Sequence, residues 1–183
     1  AAALRIRPRG EAASTPQRRV PSPEEILAAA ERGGEHEIAA GIRHLRTVGF
    51  FAQGEARAFS AEIDQLATAA TGSRAAQALC LADALAALRA TVQGRFAEAQ
   101  ALMDRTLETG RRTQLTNAVG LHSSQRIMWH LVQGRLADVA GEIDALVESH
   151  PGGRGWEPVR ALARLARGDA AGARSDFQTL LSA

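Results

Sequence analysis

Residues 92–104 read VQGRFAEAQALMD, and residues 132–144 read VQGRLADVAGEID, forty positions further on. The pair belongs to a longer series. FAQGEARAFSAEID, beginning at Phe51, puts Gly54 forty residues before Gly94, and LARGDAAGARSDF, beginning at Leu165, puts Gly168 thirty-four after Gly134. Four glycines on this ladder predict four copies of one supersecondary unit, because periods of this length mark stacked repeat architectures.

Alignment on the glycines supports that reading. Two positions before them stand Ala52, Val92, Val132 and Ala166, and six before stand Val48, Leu88, Met128 and Leu162. Two after come Ala56, Phe96, Leu136 and Ala170, and nine after come Ile63, Met103, Ile143 and Phe177. All are apolar and fit one stripe of a helix on each side of the glycine, the expected interior of stacked hairpins. Ten after stand Asp64, Asp104 and Asp144, with Gln178 in the last copy, one step round from the stripe.

Each unit therefore reads as helix, glycine turn, helix, since glycine takes the left-handed conformation that ends a helix. First helices are expected near 36–52, 74–92, 114–132 and 156–167. Second helices are expected near 55–70, 95–109, 135–149 and 169–182. ATGSR, ETGRRT and HPGGRG separate the units as breakers, with Pro151 stopping one helix and Pro158 in the first turn of the next. Ser22-Pro23-Glu24-Glu25 has the form of a capping box with proline at the first helical position, and predicts one preceding helix ended by Gly33-Gly34. The fold class is all-α: a right-handed α-hairpin solenoid over 23–183, about four helix pairs plus that first helix. Residues 1–22 form an extended or disordered Arg/Pro leader.

Composition bounds the chemistry. The 183 residues suffice for one domain with a core; 45% are hydrophobic and only 4% aromatic, a balance that suits close-packed helices. No apolar run is long enough for a membrane span, and no secretory signal is visible. All 22 basic residues are arginine, which removes the lysine P-loop and lysine Schiff-base mechanisms. Residues 1–23 hold five arginines against Glu11, and the rest of the chain is slightly acidic. Nucleic acid is thus expected only through the leader, if anywhere. Cys80 stands alone in AAQALCLADALAAL, so no intrachain disulfide forms; it reads as a small buried hydrophobe, with a reactive thiol the lesser alternative.

The candidate binding residues lie on the first helices. Arg46, Arg126 and Arg160 recur eight positions before the glycine, accompanied by Arg43, Arg89, His122, Trp129 and His130. Stacked arginines beside a tryptophan could hold a carboxylate-bearing peptide or acidic ligand in a solenoid groove. The competing reading is a solvated outer row with Trp129 in the core. His36 and His44, like His122 and His130, are eight apart, the wrong spacing for two metal ligands on one helix, so no metal and no cofactor is expected. No GxSxG, HExxH or GxGxxG pattern occurs, and Ser123-Ser124 beside His122 point away from it on a helix. The expectation is a protein that is not an enzyme.

The turn glycine, a bulky residue two on (Phe96, Leu136), a small one five on (Ala99, Ala173) and a large one nine on resemble the tetratricopeptide repeat. QGRFAEAQALMDRTLETGRR, followed by QGRLA at Gln133–Ala137 and by His150-Pro151, is similar to the helical-repeat region of large bacterial signalling ATPases, many joined to LuxR-type DNA-binding or adenylate-cyclase domains. The likeness covers roughly 24–183 and is strongest over 86–183. It implies a cytoplasmic sensor region that binds an inducer or partner and restrains an ATPase module in a transcriptional regulator. The ATPase, cyclase and DNA-binding parts have no counterpart here. The missing initiator methionine and polar cap fit a segment of a longer polypeptide.

The expected function is a non-enzymatic protein-interaction or sensor domain. Its partner is a protein or peptide segment, or another domain of the same longer chain, with a small-molecule inducer as the other occupant. The alternative is a small-molecule-binding or enzyme-accessory helical module.

Overall fold

At the turn glycines the backbone is left-handed, with φ of +74° at Gly54 and Gly94, +68° at Gly134 and +83° at Gly168. The residue after each glycine donates its backbone N–H to the carbonyl five positions before itself: Glu55 to Phe50, Arg95 to Ala90, Arg135 to His130 and Asp169 to Arg164, at 2.8–2.9 Å. One helix-closing motif is thus written four times, and Gly34 repeats it through Glu35 and Ala30.

The computed structural model describes residues 19–115, 117–149 and 155–181. Among them are nine α-helices and no strand. Helix α1 spans Pro23–Gly33, α2 His36–Gln53, α3 Ala56–Ser73, α4 Ala76–Val92 and α5 Phe96–Arg112. Then come α6 Ala118–Val132, a 3-10 turn Leu136–Val139, α7 Ala140–Ser149, α8 Glu157–Ala166 and α9 Ala170–Leu181. The predicted capping box opens α1: Ser22 Oγ accepts from Glu25 N while the Glu25 carboxylate accepts from Ser22 N. Pro158 lies in the first turn of α8. The leader up to Arg18, and His150-Pro151 with the turn to Arg154, lie outside the described residues.

The hairpins are α2/α3, α4/α5 and α8/α9, and in the third unit α6 packs on the 3-10 turn that leads into α7. They stack in chain order, with α3 on α4, α5 on α6, α7 on α8, and α1 against α2. Among the first helices α2 also packs on α4 and α4 on α6, and no comparable packing joins α3 to α5 or α5 to α7. The tighter row is the inner side of the array. Helix α4, central in that row, is buried on most sides through Ala78, Cys80, Ala82, Ala84, Leu85, Ala87 and Ala90. Its alanines permit such close neighbours.

The second helices bury the residues that the alignment predicts. Ile63, Met103 and Ile143 are at most 1% exposed, and Phe59, Ala99 and Val139 share their face one turn earlier. The last unit departs from this: Phe177 is 56% exposed, and Asp176 beside it is buried. The first helices also differ from expectation. The residues two before the glycine are all exposed, and those six before are exposed or half-buried. The interior is instead filled by Thr47, Ala87 and Ile127, seven before, and by Ala90 and His130, four before. The reason is that an inner-row helix has apolar neighbours on two sides and an apolar open face as well. Residue type alone does not distinguish these faces.

The second helix of the third unit starts as a 3-10 turn rather than as α-helix. Side chains three apart eclipse in that geometry, which lets Leu136 and Val139 enter the core together.

Candidate functional site

The recurrent arginines face their own hairpins. Arg46 reaches Glu62 at 3.6 Å, Arg126 reaches Glu142 at 3.3 Å, and Arg160 binds Asp176 through Nε at 3.1 Å and a terminal nitrogen at 2.8 Å. Each acid lies sixteen positions after its arginine, so the two stand symmetrically eight before and eight after the turn glycine. In the second unit the same two places hold Ala86 and Leu102. Arginine and acid are present together or absent together, the pattern expected of a clasp across the hairpin. Glu62 also receives Arg43 at 2.9 Å, and Asp176 receives Arg164 at 3.1 Å, so both buried carboxylates have two cationic partners.

Two of the ladder aspartates join successive units, whereas Asp104 accepts from Gln100 on its own helix. Asp64 accepts from Arg89 at 2.7 Å, and Asp144 lies 3.6 Å from Arg167. Arg89 also donates to the Ser60 carbonyl. Arg46, Arg89 and Arg160 thus sit in three separate contacts and are not brought together.

Around Arg126 the structure does gather several predicted residues. Trp129 donates Nε1–H to the Phe96 carbonyl at 3.2 Å and meets the Phe96 and His130 rings edge-on. His130 is buried, and its Nδ1 has no hydrogen-bond partner. Burial, then the Arg126 and Arg135 charges, push its pKa below the ordinary imidazole value. His122 is lowered likewise, by burial and then by Arg126. The Arg126 Nε faces Glu142 without hydrogen-bond alignment, so that contact is ionic only.

A different set of residues forms the open inner groove. One stretch, of about 280 Å³, is walled by Val48 and Phe51 of α2, Leu85 and Leu88 of α4, and Leu121 and Met128 of α6, with His44, Ser124 and Gln125 as its polar members. An adjoining stretch of about 430 Å³ shares His44 and Leu121 and continues along Ile38, Ile42, Leu45 and Leu81. Neither stretch is lined by an arginine, aspartate or glutamate. By contrast, a cavity of about 50 Å³ beside Glu31, His36 and Arg43 has room for little more than a water.

Two polar groups in the first stretch are incompletely satisfied. Gln125, 8% exposed, donates Nε2–H to the Ala84 carbonyl at 2.6 Å, and its Oε1 has no partner. The Nδ1 of His44 has none either, and burial pushes the His44 pKa down. Sequence reasoning did not single out Gln125, and weighed His44 only as a metal ligand. The usable signal was the six-before stripe of Val48, Leu88 and Met128, which faces this groove.

The remaining reactive side chains are engaged in packing. Cys80 is fully buried, its Sγ 3.4 Å from the Thr106 carbonyl, and burial raises its thiol pKa. Ser124 Oγ donates to the Gly120 carbonyl at 2.8 Å. Among the described residues no group of three His, Cys, Asp or Glu could hold a metal ion, and no helix is long and apolar enough to cross a membrane. No family model, curated protein or solved structure matches the chain.

Proposed function

We propose that the chain is a non-enzymatic binding domain, a tetratricopeptide-like right-handed solenoid that serves as the sensor or scaffold part of a bacterial cytoplasmic regulator. The observation that carries this reading is the charge-free inner groove. In a chain where nearly a quarter of residues are charged, α2, α4 and α6 present Val48, Leu88 and Met128 to an open surface lined by no arginine, aspartate or glutamate. Concave apolar surfaces with a few polar groups are the usual form of binding sites. The occupant is an uncharged apolar segment or inducer rather than the acidic ligand that an arginine row would select, because the recurrent arginines are spent on hairpin clasps. An occupant touching α2, α4 and α6 at once would favour one spacing of the hairpins over another, and so report its presence to attached domains.

Two peptide libraries test this, one of uncharged apolar helices and one with acidic tails. Binding is expected from the first, weakened at least tenfold by Leu88→Arg and unaffected by Arg160→Ala. Acidic-tailed binders that depend on Arg126 would replace the groove with the arginine row.

A further inference from the structure

The groove carries a second message in its floor. Among the described residues only five buried side-chain polar atoms lack a hydrogen-bond partner, and two of them, Gln125 Oε1 and His44 Nδ1, belong to the wall of the same 280 Å³ cleft. Buried polar atoms in folded proteins are nearly always paired, so two unpaired ones in a single apolar cleft ask for a partner that enters it. The amide of Gln125 is anchored on one side by its bond to the Ala84 carbonyl, which leaves the oxygen as the unused end. Both atoms are themselves buried, so contact with a ligand in the cleft requires a turn about the terminal torsion of glutamine or histidine, which is soft.

We propose that this cleft is a binding site for a small neutral molecule with an apolar body and a single hydroxyl or N–H group, the polar group being read by Gln125 Oε1 with His44 as its neighbour. The inference rests on the groove reading and narrows it. A charged ligand is disfavoured because no counter-charge lines the cleft. An apolar helix face can cover the same groove but leaves Gln125 Oε1 unread, because its backbone N–H groups are already committed within the helix. A volume near 280 Å³ suits a molecule of about two aromatic rings.

Diphenylmethanol and diphenylmethane differ by the hydroxyl alone and are the probes of choice. Their binding to the whole chain is measured by ligand-observed NMR, with Leu88→Arg as the blocked control. Saturable binding of both, with the alcohol at least tenfold tighter, is the expected result. Gln125→Met should shrink that preference to less than threefold while the hydrocarbon still binds. Equal affinity of the two probes for the unmodified protein would overturn the hydroxyl-reading site and leave the groove intact; that comparison needs no variant. A preference that survives Gln125→Met in a folded protein would overturn the assignment to Gln125. Failure of both probes to bind, or binding indifferent to Leu88→Arg, would overturn the small-molecule site, and the groove reading would fall with it only if the apolar helices also fail to bind.

Discussion

Met103, Ile143 and Phe177 occupy one repeat position and differ in what covers them. The first two are fully buried, while Phe177 is 56% exposed. Met103→Ala or Ile143→Ala should therefore cost about 2–5 kcal/mol, and Phe177→Ala under about 1 kcal/mol, in urea unfolding. Glycines divide in the same manner. A methyl on Gly110 would stand 2.4 Å from the Ala118 Cβ of α6, whereas one on Gly141 meets nothing within 4 Å. Gly110→Ala is expected to destabilise by about 1–3 kcal/mol, and Gly141→Ala to stabilise by about 0.5–1 kcal/mol through helix propensity. At this scale the sequence disclosed the second-helix interior, because Ile63, Met103 and Ile143 are large and alike. It did not disclose the first-helix interior, because Thr47, Ala87 and Ile127 share a place but neither size nor polarity.

The hairpin is the element that the glycine ladder predicts, and observed helix ends fall within a few residues of the expected ones. What spacing could not show was the 3-10 start at Leu136–Val139, since the choice between the two geometries depends on which neighbours must be reached. The clasps were half legible. The arginines recur visibly, but their partners lie across a turn, sixteen positions away on another helix. Arg160→Ala leaves Asp176 buried with Arg164 as its remaining cation, and should cost about 1–3 kcal/mol. Arg160→Ala/Asp176→Leu installs the Ala86/Leu102 solution of the second unit, and should recover at least half of that loss in the same unfolding assay. A double variant no more stable than the single one would mean that the acid is not the clasp's partner.

At the scale of the molecule, three imidazoles among the described residues couple stability to acidity. His44, His122 and His130 all have folded pKa values below the ordinary 6.5, chiefly because burial disfavours the charged form. The unfolded chain then binds protons first. Stability from keeping them neutral is present above about pH 6.5 and is lost as pH falls through the lower folded values. The urea midpoint should drop between about pH 7 and pH 5, and less steeply in His44→Leu. The groove was the least legible feature. It arises where Val48, Leu88 and Met128 from three separate repeats meet, and their side chains look in sequence like any core stripe. Its lack of charge has one further consequence. Dissolved ions attenuate exposed charge pairs on about the 10 Å scale and leave apolar contacts nearly untouched. Raising ionic strength should therefore weaken the exposed pairs between units, Arg89–Asp64 and Arg167–Asp144, while the proposed apolar occupant of the groove binds as tightly as before.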